Sequence, residues 1–142
     1  MQDQHSELRT LGSRKTEYKY NEPSTEILET FPNRTPDRDY EVELIFPEFT
    51  SLCPKTGQPD FATITIRYTP NLSCIESKSL KLYLFAFRNY GSFMETITNK
   101  IRDDLVEVCS PRSLEVISNF NPRGGIAINV TSIFIARTTG DE

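Results

Sequence analysis

The run Cys53-Pro54-Lys55-Thr56-Gly57-Gln58-Pro59-Asp60 puts a thiol, an ammonium and a carboxylate in one short polar stretch. A free cysteine is most often a small buried apolar side chain. Cys53 departs from that habit by its setting, a segment rich in Pro, Gly, Ser and Thr between two apolar-alternating stretches. Loops on a rigid scaffold are common places for reactive groups. Lys55, two residues on, can favour the thiolate, and Asp60 can return across the loop as a proton donor. Cys74 and Cys109 have no comparable neighbours and read as structural thiols.

The missing residue types narrow the chemistry further. The only histidine is His5, in the polar N-terminal stretch, so a Cys–His dyad is not available. No two cysteines sit at zinc-ligand spacing and no ordered histidine joins them, so no metal is expected. Any nucleophilic step at Cys53 therefore needs a carboxylate or a lysine as its proton partner.

Three further groups each have an ordinary and a functional reading. Glu76-Ser77-Lys78-Ser79-Leu80-Lys81-Leu82-Tyr83 reads as a helix start capped by Ser77 or Ser79. It reads equally as an anion site, with free N–H groups at the helix end and Lys78 and Lys81 beside them. Glu95 in Ser92-Phe93-Met94-Glu95 fits a capping box. Its functional alternative is to accept paired hydrogen bonds from a guanine-like edge. Arg123, in Pro122-Arg123-Gly124-Gly125, is either a solvated turn arginine or a phosphate contact.

The elements that must position these groups follow from periodicity. Residues 1–38 are polar, carry Pro23, Pro32 and Pro36, and read as a partly extended arm ahead of a single domain over 39–142. Tyr40 to Phe46 alternates as a half-buried strand, a loop runs from Pro47 to Pro59, and Ala62, Ile64, Ile66 and Tyr68 mark the inner face of a second strand. Leu80, Leu84 and Phe87 recur at helical spacing up to Asn89-Tyr90-Gly91. A second helix opens at Ser92, with the stripe Ile97, Ile101, Leu105 and Val108, and stops at Pro111. Two strands, over Leu114–Phe120 and Ile126–Val130, close the chain around the Pro122–Gly125 turn. The order ββααββ predicts an antiparallel sheet with both helices on one face, an α+β fold.

Composition bounds the partners. A chain of 142 residues is expected to form one domain with a real core. The net charge of -4 argues against binding along a phosphate backbone, which calls for a basic face. No apolar run reaches membrane-spanning length and Met1 to His5 lacks a secretory pattern, so a cytoplasmic location with reduced thiols is expected. The Asn33, Asn71 and Asn129 glycosylation patterns then carry no meaning.

Over about residues 27 to 130 the chain resembles the short, single-domain type of the QueF nitrile reductases, in the tunnelling-fold superfamily. Glu76 to Tyr83 matches that family's signature at every position, and Phe49 to Phe61 matches the loop that holds its cysteine and aspartate. The resemblance implies a ββααββ subunit that joins sheets into barrels, a decamer of two pentamers, and purine-like ligands bound between subunits. It implies that Cys53 adds to the nitrile of 7-cyano-7-deazaguanine to give a thioimidate, with Asp60 donating the proton. Two NADPH then complete the reduction to 7-aminomethyl-7-deazaguanine, on the way to queuosine in transfer RNA. Ile75, Glu76, Ser77, Met94 and Glu95 would contact the substrate, and Lys78 and Lys81 the NADPH. No G-x-G-x-x-G fingerprint accompanies them.

One position departs from the family, which usually has Phe-His-Glu where this chain has Phe93-Met94-Glu95. Methionine fills similar space but neither donates a hydrogen bond nor carries a proton. Nucleophile and acid remain, so activity is expected to survive, slower or with altered substrate handling. Two other readings resemble parts of this pattern. QueF-like amidinotransferases keep the cysteine and aspartate but act on nitrile-bearing transfer RNA without the NADPH motif, which is intact here. A non-catalytic purine-binding module would take Met94 as a mark of lost catalysis. Cyclohydrolase chemistry on the same fold is disfavoured by the missing zinc ligands.

Overall fold

The structure is a computed structural model that describes residues 22–137. Its main sheet has four antiparallel strands in the order β2-β3-β5-β6: β2 (Val42–Leu52), β3 (Pro59–Thr69), β5 (Ser113–Arg123) and β6 (Ile126–Ile135). Two helices, α1 (Ser77–Phe85) and α2 (Met94–Cys109), cover one face. A second, two-stranded sheet pairs β1 (Thr30–Pro32) with β4 (Ser73–Ile75). Alternation decides which face is buried. Ala62, Ile64, Ile66 and Tyr68 on β3 and Leu114, Val116, Ser118 and Phe120 on β5 all point under the helices, as their period of two predicts. From the helices Leu80, Tyr83, Leu84, Ile97, Ile101 and Leu105 complete the core. A buried hydroxyl pair, Thr98 to Ser118 at 2.8 Å, ties α2 to β5.

Four local expectations come out differently. The loop expected over Pro47–Pro59 is half strand: β2 continues to Leu52, and its register shifts between Phe46 and Phe49. Pro47 lacks an N–H, and an edge-strand bulge is where a sheet tolerates that. Neither Ser77 nor Ser79 caps α1. The cap is Glu76, whose carboxylate accepts from the Lys78 and Ser79 N–H groups at 2.6 and 2.9 Å. A charged acceptor at the positive end of the helix dipole outcompetes a hydroxyl there. The capping box at Ser92 does not form either, because α2 starts at Met94 behind Phe93 and the Ser92 N–H is donated to the Leu52 carbonyl.

The fourth difference concerns the N-terminal stretch, since regular structure begins ahead of Asp39. Of the arm expected over residues 1–38, residues 1–21, including His5, lie outside the described residues. Further along, Leu28 is buried in the core and Thr25–Ile27 forms a 3-10 turn. Asn33 is a buried hub: its Nδ2 donates to the Asn71 carbonyl at 2.7 Å and its Oδ1 accepts from Tyr40 at 2.7 Å. Arg112 holds the next segment by donating to Asp39 at 2.8 Å and to the Pro36 carbonyl. Among the described residues no helix is long and apolar enough to cross a membrane.

Candidate active site

Cys53 directly follows β2 and Asp60 is the second residue of β3, so the hairpin folds the two ends of one short run back on each other. The loop is closed from within. The Cys53 N–H donates to the Gln58 carbonyl at 2.8 Å, and the Gly57 N–H to the Cys53 carbonyl at 2.9 Å. Gly57 takes φ +73°, a left-handed conformation that glycine adopts without strain. The Thr56 hydroxyl foremost, then the Thr56 and Lys55 backbone N–H groups, hold the Cys53 thiol below its ordinary range. Burial and the Asp60 charge oppose them more weakly. The expected help from Lys55 thus comes through its main chain rather than its ammonium. Cys74 and Cys109 are buried, and burial foremost pushes Cys109 up to about 12.

Asp60 is 4% exposed and stands opposite Ser51, whose hydroxyl is buried without a hydrogen-bond partner among the described residues. Arg123 reaches it from the β5–β6 hairpin, with 2.5 Å between Nη1 and Oδ1, and its Nη2 donates to Gln58 Oε1. Sequence reasoning weighed Arg123 only as solvated or as a phosphate contact. Its local neighbours carry no signal of Asp60, which lies 63 residues away.

The start of α2 is brought to the same place. Leu52 donates to the Tyr90 carbonyl at 3.1 Å and accepts from Ser92 at 3.2 Å, so the α1–α2 linker adds to the end of β2. Met94 packs half-buried on the core, while Phe93 and Glu95 are exposed beside it. Ile75, Glu76 and Ser77 are not brought there. The Ile75 N–H donates to the Tyr68 hydroxyl at 2.9 Å, and Tyr68 is at the far end of β3 from Asp60. At about 3.3 Å per residue that strand separates the two groups by on the order of 20 Å, too far for one base-sized molecule to touch both. Lys78 is half-exposed and Lys81 exposed on α1, the Lys81 ammonium lying 5.8 Å from the centroid of the Phe85 ring. The helix N–H groups that made this an anion site are occupied by Glu76. A depression of about 170 Å³ lined by Glu41, Arg67, Glu115 and Ile133 also lies at the end away from Cys53.

The model of the family described as QueF-like protein matches residues 59–138. The chain belongs to the QueF-like family. Relatives named NADPH-dependent 7-cyano-7-deazaguanine reductase include one from Nitratidesulfovibrio vulgaris (strain DP4), 57% identical over 90% of this chain and 77% of its own length. Another, from Bacillus cytotoxicus, is 60% identical over 84% of this chain and 72% of its own. A third, from Chlorobaculum tepidum, is 61% identical over 75% of this chain and 91% of its own. Among solved structures, the apo crystal structure of the archaeosine synthase QueF-Like superposes with a TM-score of 0.64 at 15% identity. It covers 69% of this chain and 96% of that one. That likeness is one of fold, and it bears out the α+β tunnelling-type architecture expected for a QueF-like chain.

Proposed function

We propose that this chain is an NADPH-dependent oxidoreductase that reduces the nitrile of 7-cyano-7-deazaguanine to 7-aminomethyl-7-deazaguanine, the precursor of queuosine in transfer RNA. The observation that carries this is a hairpin that presents a thiol of lowered pKa, Cys53, beside a buried carboxyl, Asp60. It occurs in a chain 57–61% identical to reductases named for that reaction.

The Cys53 thiolate adds to the nitrile carbon while Asp60 gives a proton to the nitrogen, so one C–S and one N–H bond form as the C≡N triple bond becomes double. Each NADPH supplies one hydride, and two are needed to take the nitrile to the amine. After the first, the C–S bond breaks, the electron pair returns to sulfur, and Cys53 is regenerated as thiolate with an imine left to be reduced. Overall, one nitrile, two NADPH and two protons give one amine and two NADP⁺. Asp60, buried in its polar slot, keeps the first of those protons directed at nitrogen rather than at bulk water. Glu95, exposed at the start of α2, suits the guanine-like edge of the ring.

Lys78 and Lys81 fit an NADPH phosphate through their side-chain ammonium groups on α1, since Glu76 already occupies the helix end. Ile75, Glu76 and Ser77 serve a substrate held against the Cys53 end of a neighbouring subunit. The separation of the two ends along β3 supports this arrangement. So does the sheet face opposite the helices, where Ile45, Ile133 and Ile135 are more than half exposed. The assembly is a ring of such subunits, a decamer of two pentamers, with its sites between them. Free thiols at Cys53, Cys74 and Cys109 suit the reducing cytoplasm.

The test is oxidation of NADPH in the presence of 7-cyano-7-deazaguanine. Wild-type protein is expected to consume two NADPH per nitrile, and Cys53→Ala none above background. Met94→His, which restores a donor, is expected to speed turnover by about 10- to 100-fold. No NADPH consumption by the wild type would overturn the assignment.

A further inference from the structure

The Asp60–Arg123 pair depends on an irregularity in β5. Across the β3–β5 ladder Ala62 faces Phe120, and Asp60 lies one pleat beyond Ala62 on the same buried face. Across the β5–β6 ladder the register moves from Phe120↔Ile128 to Arg123↔Ile126, so β5 carries one extra residue at Asn121-Pro122. In a regular strand position 123 would point to the opposite face from 120; the bulge turns it back to the face of Asp60. Gly124 and Gly125, at φ +60° and +82°, then close the hairpin in the two-residue turn that needs left-handed residues at both positions. Strand, bulge and turn therefore converge on delivering one guanidinium to a carboxylate that is 5% exposed, and to the Gln58 side chain in the Cys53 loop.

We propose that Arg123 is a positioning residue for the nitrile reduction: it fixes the Asp60 carboxyl over the Cys53 loop and accepts, as an ion pair, the charge that Asp60 acquires on giving up its proton. The step balances simply. The Cys53 S–H bond breaks and its proton passes to the Asp60 carboxylate as the thiolate forms. The Asp60 O–H bond so made then breaks as an N–H bond forms on the substrate, and the carboxylate left behind is again paired with the guanidinium. A second effect follows at sulfur. The Asp60 charge opposes thiolate formation at Cys53, and Arg123 neutralises that charge. The charged groups at this end of the sheet include Asp60 from β3, Lys55 in the Cys53 loop, Arg123 from the β5–β6 hairpin and Glu95 at the start of α2.

The inference rests on the proposed reductase activity, so its test has one arm that does not. In steady-state assays with the nitrile, Arg123→Gln is expected to lower kcat on the order of 100-fold while the KM for NADPH changes by less than about threefold, and Arg123→Lys to recover part of the loss. Independently, Cys53 alkylation by iodoacetamide is followed against pH with neither nitrile nor NADPH present. Arg123→Gln is expected to move its midpoint upward, and Asp60→Asn in the same chain to bring it back. Circular dichroism melts establish that each variant is folded, and the Lys variant keeps the charge should the Gln variant unfold. A large rise in the KM for NADPH with kcat unchanged would make Arg123 a phosphate ligand and overturn the proposal, as would an unmoved alkylation midpoint. Wild-type protein that fails to oxidise NADPH but shows the alkylation shifts would overturn the reductase assignment while leaving the Arg123–Asp60–Cys53 coupling in place.

Discussion

Hydrogen bonds rather than a neighbouring base hold the Cys53 thiol below its ordinary range. The Thr56 hydroxyl is the largest of the influences that lower its pKa. Donors aimed at sulfur favour the charged form, so removing one raises the pKa and reduces the thiolate present at neutral pH. Thr56→Val is therefore expected to shift the midpoint of the alkylation-rate profile to higher pH and to slow alkylation at pH 7. Mass spectrometry of the native protein should find the label on Cys53 alone, because Cys74 and Cys109 are buried and Cys109 is pushed up to about 12. Label on Cys109 at pH 7, or a midpoint that Thr56→Val leaves in place, would contradict this account. Met94 belongs to the same scale: it packs on the core but has no proton to give.

Among the elements, the β2–β3 hairpin matters most, and its shape hinges on Gly57. A Cβ there would meet no atom within 4 Å, so substitution is opposed by backbone conformation alone. Gly57→Ala is expected to cost about 1 kcal/mol in urea unfolding. Because Gly57 closes the loop onto the Cys53 carbonyl, turnover should fall by about tenfold, more than so small a loss of stability explains. A variant as stable and as active as wild type would show that the loop tolerates another path. The bulges in β2 and β5 act at this scale too, the first accommodating Pro47 and the second re-aiming Arg123. Both follow from cross-strand register, which a strand's own periodicity does not carry.

For the whole molecule the decisive feature is that the two groups of candidate site residues sit at opposite ends of the sheet. Cys53, Asp60 and the start of α2 share one end, while Ile75, Glu76 and Ser77 lie beside Tyr68 at the other. A site built across two copies makes a specific prediction. Cys53→Ala and Glu76→Gln proteins, each inactive alone, are mixed in equal amounts, dissociated and reassembled. With random neighbours about a quarter of the sites receive both intact ends, so about a quarter of wild-type NADPH oxidation should return. If no activity returns although sedimentation shows mixed assemblies, both groups serve one subunit and the arrangement is wrong.

The thiol with a carboxylate seven residues on, the alternating strands, the helical stripes and the order ββααββ could all be read directly, because each is a pattern between near neighbours in the chain. Local composition also narrowed the proton partner of Cys53 to a carboxylate or a lysine, since the one histidine is His5. Other features needed contacts between distant residues. Arg123 on Asp60 spans 63 positions, the Leu28 and Asn33 anchors join the N-terminal stretch to the core, and Glu76 displaces both serines as helix cap only where the backbone N–H groups turn toward it. Such contacts depend on strand register, on bulges and on which carboxylate reaches a helix end first. These are properties of the folded pairing, and local sequence leaves several of them nearly equal in energy.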